Sequence, residues 1–229
     1  MMPMHATAPE SEAVVGKPRI ETRWLGRVAY PEALALQEEL VRERAETIQN
    51  PKSKTQNRDV LLLLEHDPVY TIGRTPDQSS LRDPSQLPHP IVQTNRGGQA
   101  TFHGPGQLIG YPILDLRERG EDLHRYLRTL ENILIETCRV FGVAAHRREK
   151  LTGVWVEDRK IASIGVGIRN WITMHGFALN VCGDLSPFSA ITPCGIAGVQ
   201  MTSLERESVN AASVETVAAA VSEIFAEQI

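Results

Sequence analysis

Apolar residues in this chain fall mostly into short runs broken by turn signals, and only three stretches carry helical spacing. That alternation confines the fold to a sheet flanked by a few helices. The run Val-Leu-Leu-Leu-Leu-Glu at 60–65 is short and apolar on both faces, as a buried strand requires. Further strands are predicted over 23–30, 69–72, 91–95, 107–116 (broken by Pro112), 153–157, 161–168 and 172–181. Pro31 opens the first helix, whose apolar positions are Ala33, Leu36, Leu40 and Val41. Leu123, Leu127, Leu130, Ile133, Leu134, Cys138 and Phe141 make one stripe of a long second helix. Ser213 caps the last, with Val214, Val217, Val221, Ile224 and Phe225 on one face. Polar or Pro- and Gly-rich loops fill 50–58, 75–90 and 182–199. No repeat and no dividing linker is present. Residues 20–229 therefore read as one mixed α/β (α+β) domain, a mixed β-sheet flanked by helices, behind a disordered tail over 1–19.

Composition narrows the function classes. The 24 basic and 28 acidic residues give a net charge of −4, which is not the footprint of a general nucleic-acid binder. No run approaches the ~18 apolar residues of a membrane span. The first residues lack a basic segment followed by an apolar one, so they do not read as a secretory signal. Three cysteines cannot build a disulfide framework. A cytoplasmic protein acting in a reducing compartment, without membrane or nucleic-acid partners, is expected.

Four features could carry chemistry. Arg96-Gly-Gly-Gln-Ala-Thr-Phe-His-Gly-Pro-Gly-Gln107 is dense in glycine, which lets a backbone approach a ligand closely, or equally serves hairpin geometry alone. It is neither a phosphate loop nor a dinucleotide fingerprint, and no cofactor is implied. Cys138 sits on the helical stripe and Cys182 at a strand end, so both read as structural thiols. Cys194 lies instead in Ile-Thr-Pro-Cys-Gly, a loop position where a nucleophile could be presented and where the following N–H groups could face an oxyanion. Lys160, one of only five lysines, starts an otherwise apolar and small strand; an edge-strand lysine beside a hairpin turn is the plainer alternative. His103 and His175 lie beside glycines, whereas His5, His66, His89, His124 and His146 show no cluster. Without His-x-x-x-His or Cys-x-x-Cys spacing, no metal is expected.

Taken together, EHDPVYTIGR (65–74), RGGQATFHGPGQLIGYPILDL (96–116), GVWVEDRKIASIGVGIR (153–169), HGFALNV (175–181) and LSPFSAITPCGIAG (185–198) resemble the lipoyl(octanoyl) transferase family. The resemblance runs from about Arg23 to Leu204. It implies a fold similar to the catalytic domain of biotin and lipoate ligases. It also implies transfer of octanoyl, or lipoyl, from acyl carrier protein to a lysine of a lipoyl domain, in 2-oxoacid dehydrogenase complexes or the glycine cleavage H protein. Cys194 matches the family's acyl-accepting cysteine and Lys160 its catalytic lysine. Arg96, Gly97, Gly98, Gln99, Ala100, Thr101, Phe102 and His103 match its substrate-binding segments, with Ser163, Ile164, Gly165, Gly176, Phe177 and Ala178. Phe102 stands where the family often has tyrosine and Ala162 where it often has cysteine.

The chemistry agrees with that implication. A thioester donor is already activated, so no nucleotide is needed. A free cysteine at pKa ~8.5 is mostly thiol at neutral pH, and a nearby ammonium favours its thiolate. The same lysine, once neutral, can take a proton from an incoming amine. His103 would then position substrate. Three other enzyme readings remain: an ATP-dependent lipoate or biotin ligase, an amide-exchanging octanoyl transferase, and a Cys194–His103 hydrolase. A non-catalytic acyl-binding module is a fourth. Arg117, Arg119, Arg125, Arg128, Arg147 and Arg148 form a candidate docking surface for an acidic carrier, unless Glu118, Glu121 and Asp122 merely balance them.

Overall fold

The computed structural model describes residues 20–49, 58–210 and 212–229. The tail expected over 1–19 and most of the loop expected over 50–58 lie outside the described residues. In chain order the elements are β1 (Glu21–Val28), α1 (Tyr30–Gln49), β2 (Val60–His66), β3 (Val69–Ile72), β4 (Ile91–Gln93), β5 (Thr101–His103) and β6 (Gln107–Ile113). There follow α2 (Leu123–Val140), β7 (His146–Arg148), β8 (Leu151–Val156), β9 (Arg159–Arg169), β10 (Ile172–Asn180), β11 (Gln200–Met201), α3 (Leu204–Glu207) and α4 (Val214–Gln228).

The main sheet has the order β1-β2-β6-β10-β9-β8-β7, with β11 paired to β9. Its β1–β2 and β9–β11 ladders are parallel and its other ladders antiparallel, so the sheet is mixed as expected. A second sheet, β4-β3-β5, lies beside it. Period-two alternation explains the doubly apolar β2. Leu61 and Leu63 join Leu130, Ile133, Leu134, Val217, Val221 and Phe225 of α2 and α4. Val60, Leu62 and Leu64 face the other way, against Ala33, Leu40 and Val41 of α1. A third cluster, including Tyr70, Phe102, Leu185 and Phe188, holds the small sheet to the loop after β10. Asp122 and Ser213 each accept a backbone N–H at the third helical position, fixing where α2 and α4 begin.

Several details differ from the sequence reading. β6 is not broken at Pro112 but runs through it. The missing N–H costs nothing on the β2 side, and the β6–β10 ladder has already ended at Gly110. Gly176 makes room for the ring: a Cβ there would lie 2.6 Å from Pro112 Cδ and 2.3 Å from Gly110 O. Three residues inside the glycine-rich stretch form β5, and β7, β11 and α3 were not anticipated. Leu123, the first residue of the α2 stripe, is 36% exposed.

The arginine cluster is largely committed within the chain. Arg117 pairs with Asp115, Arg119 with Asp59, Arg148 with Asp158, and Arg128 and Arg147 both with Glu131. Five of the six arginines are thus engaged, by Asp115, Asp59, Asp158 and Glu131. Among the described residues no helix is long and apolar enough to cross a membrane.

Candidate active site

β9 begins one residue before Lys160, and its alternation turns that side chain inward. The lysine is 1% exposed, so it is not an edge lysine. β8 pairs β9 on one side, β11 joins at Met201, and the Thr202 N–H donates to the Lys160 carbonyl. Lys160 Nζ sits 5.4 Å from the Trp155 ring centroid, donates to Thr152 O at 3.1 Å, and reaches Cys194 Sγ at 3.3 Å.

Cys194 occupies a tight turn, Pro193–Gly195, with φ 56° and ψ 16°. Its N–H donates to Ala100 O at 2.8 Å, tying the cysteine loop to the glycine-rich segment, and Ser163 Oγ lies 3.5 Å from its sulfur. The N–H groups after it are engaged within the turn, Gly195 on Thr192 O and Ile196 on Pro193 O. They are therefore not the free oxyanion donors expected. The other thiols differ in kind. Burial inside α2 pushes Cys138 up to about 12, and burial also raises Cys182, with Glu205 and Glu65 adding to it.

A cavity of about 200 Å³ opens beside the pair. Its floor is the α1-facing side of β9 and β10, where Ser163 and Gly165 oppose Ala178 and Gly176. Small side chains at these four positions leave the depth. No Asp or Glu is among its described lining residues, which include Arg96, Lys150 and Lys160. Arg96 is 8% exposed and holds its own loop: Nη2 donates to Thr71 O, Thr71 Oγ1 and Gln99 O, and Nη1 to Gly97 O. Burial works against its charge, but a guanidinium keeps its proton in proteins.

His103 and His175 line this cavity with Tyr30 and Tyr111, and a third imidazole, His66, lies against His103. His103 Nδ1 is bonded to Gln107 Oε1 at 2.7 Å and Nε2 to Thr71 Oγ1 at 3.1 Å. His66, which the sequence showed as isolated, lies 5.9 Å from His103 between ring centroids and bonds Tyr111 Oη at 2.7 Å. His175 bonds Asn95 Oδ1. Burial pulls His103 down to about 3 and His66 and His175 to about 4, so all three are neutral at pH 7. Both ring nitrogens of His103 are occupied, and neither by Cys194. His89 is not isolated either, since it lies against Tyr70 and Phe102.

Most of the expected residues converge here. Arg96, Gly98, Gln99, Thr101, His103, Lys160, Ser163, Ile164, Gly165, Gly176, Phe177, Ala178 and Cys194 line the cavity. Gly97, Ala100 and Phe102 do not. Gly97 donates to Val166 O, Ala100 anchors the cysteine loop, and Phe102 packs into the third cluster. Tyr30, Tyr111, Lys150, Leu151, Thr152, His175 and Ile196 line it without having been singled out as site residues. The inward phase of β6 and β10 signals Tyr111; nothing local in the sequence signals Lys150–Thr152. Among the described residues no group of three or more His, Cys, Asp or Glu is arranged to hold a metal ion.

The fold is that of the lipoate and biotin protein ligase catalytic domains. A bi-partite lipoate protein ligase of an archaeal lipoylation system from Thermoplasma acidophilum superposes with a TM-score of 0.61 at 18% identity, over 92% of this chain and 84% of that one. Biotin protein ligase from Aquifex aeolicus gives 0.55 at 13% identity, over 91% and 69%. The family model for the lipoyl protein ligase A/B catalytic domain matches residues 29–226. An octanoyltransferase of Geobacter sulfurreducens is 54% identical over 202 residues, 88% of this chain and 81% of that protein, and one of Nostoc sp. is 48% identical over 180, 78% of each. The chain belongs to the lipoyl protein ligase A/B family and, within it, to the octanoyltransferases, which are acyltransferases.

Proposed function

We propose that residues 20–229 form one catalytic domain that moves octanoyl from acyl carrier protein to a lysine of lipoyl domains, with Cys194 carrying the acyl group as a thioester. The approach of Lys160 Nζ to Cys194 Sγ, 3.3 Å apart beside a cavity without a lining carboxylate, carries this reading. The ammonium favours the thiolate, which attacks the donor carbonyl. The bond to the carrier's sulfur breaks, and that sulfur takes the proton of Lys160. The amine of the acceptor lysine then attacks the enzyme thioester and gives its proton to the neutral Lys160. Cys194 leaves as thiolate, so the ammonium–thiolate pair is restored. The acyl chain lies over Ser163, Gly165, Gly176 and Ala178, with Arg96, Gly98, Gln99, Thr101 and His103 also lining its space and the cytoplasm as the setting. Acceptors are the lipoyl domains of 2-oxoacid dehydrogenase complexes and the glycine cleavage H protein.

Intact mass after incubation with octanoyl-carrier protein tests it. An added octanoyl group that hydroxylamine removes, absent in Cys194→Ala and present in Cys138→Ala and Cys182→Ala, is the expected result. An adduct surviving in Cys194→Ala would overturn the assignment.

A further inference from the structure

Lys160 is held by a peptide group that is itself held from behind. The Thr152 carbonyl accepting its ammonium and the Gly153 N–H belong to one peptide unit. That N–H donates to Glu131 Oε1 at 3.1 Å. Glu131 is on α2, 1% exposed and next in sequence to Leu130 of the core. Its other oxygen accepts from Arg128 at 2.7 Å and Arg147 at 2.8 Å. A buried carboxylate is costly unless paired and hydrogen-bonded, and here every oxygen is used. Gly153 has φ +126°, open to glycine, and a Cβ there would lie 2.7 Å from Lys160 Cε. The unit is thus turned, cleared and pinned so that its carbonyl meets Nζ.

From this geometry we infer that Glu131 is a positioning residue for the reacting pair: it locks and polarises the Thr152–Gly153 peptide, whose carbonyl aims the Lys160 ammonium at Cys194. Hydrogen bonds in series strengthen one another in a low-dielectric interior, and a charged acceptor doubles the effect of a neutral one. The carboxylate acts through the peptide rather than on the ammonium, leaving Lys160 free to face the sulfur. This inference rests on Lys160 and Cys194 being the reacting pair.

The test reads the rate of Cys194 alkylation by iodoacetamide in the full chain at neutral pH, with peptide mass separating Cys194 from Cys182. Glu131→Met keeps the volume but cannot accept, and should slow alkylation roughly tenfold, the loss of one charge-assisted hydrogen bond. Glu131→Gln retains an oxygen for the Gly153 N–H and should recover most of the rate, although it too loses the ion pairs. Arg147→Ala removes one ion pair of Glu131, with the bonds to Arg128 O and Asn132 Oδ1, but leaves the Gly153 bond, and should lower the melting temperature without slowing alkylation. In a Lys160→Met background, Glu131→Met should add nothing. Equal slowing by Glu131→Met with and without Lys160, or a normal rate in Glu131→Met, would overturn the inference. A normal rate in Lys160→Met would instead sink the pairing of Lys160 with Cys194. Should Glu131→Met fail to fold, Glu131→Ala carries the same comparisons.

Discussion

In the proposed mechanism Lys160 is a cation in one half-reaction and a base in the other, and a single substitution separates the two tasks. Lys160→Arg keeps a positive charge beside the sulfur, but guanidinium cannot accept a proton from an amine. Acylation should survive in part and transfer to the acceptor should fail, so octanoyl-enzyme accumulates in single-turnover mass spectra. Equal loss of both steps would point to geometry, because the Lys160 terminus lies close against Gly153. Cys194 and Lys160 were legible because each broke its surroundings, a cysteine between proline and glycine and a lysine in an apolar strand. Glu131 broke its surroundings too, as a charge among Leu127, Leu130 and Leu134, yet salt-bridged helix faces are common enough to hide it. Tyr30 and Thr152 carried no such signal, since their roles come only from where α1 and β8 are placed.

At the level of elements, the paired strands β9 and β10 set what the cavity can hold. Ala178 opposes Ser163, directly under the cysteine, and Gly176 opposes Gly165 one step further along. Ala178→Leu should fill that space and sharply lower octanoyl transfer while Cys194 alkylation stays near its normal rate. If both fall together, the substitution has disturbed the loop and not the acyl space. The long stripes of α2 and α4 and the β9–β10 pair followed from periodicity, because packing and propensity agree there. β5, β7 and β11, at two or three residues each, are strands only because a neighbour offers a ladder. Pro112 misled for a related reason: what permits it in β6 is Gly176, 64 positions along the chain in a different strand.

Across the whole molecule, the buried imidazoles tie stability to pH. His66, His103 and His175 have an ordinary value of 6.5 when unfolded and about 3 to 4 when folded. Between those limits the unfolded chain binds more protons, so their contribution is complete above about 6.5 and is lost as pH falls. Each ring contributes a slope of about 1.4 kcal/mol per pH unit in that window. Urea midpoints should drop clearly from pH 7.5 to pH 5, and a flat profile would mean these rings are hydrated or charged in the fold.

The left-handed backbone of Cys194 has its own effect on the balance between endurance and activity. A non-glycine residue in that conformation costs on the order of 1 kcal/mol, which the docking of its loop on Ala100 sustains. In the proposed mechanism the nucleophile's place in this turn thus keeps the native state less durable than the same scaffold without it. Cys194→Gly should be inactive and yet melt several degrees higher than the unsubstituted chain, a ΔΔG of about 1 kcal/mol at this size. An unchanged or lower melting temperature would show that the turn accommodates cysteine without strain.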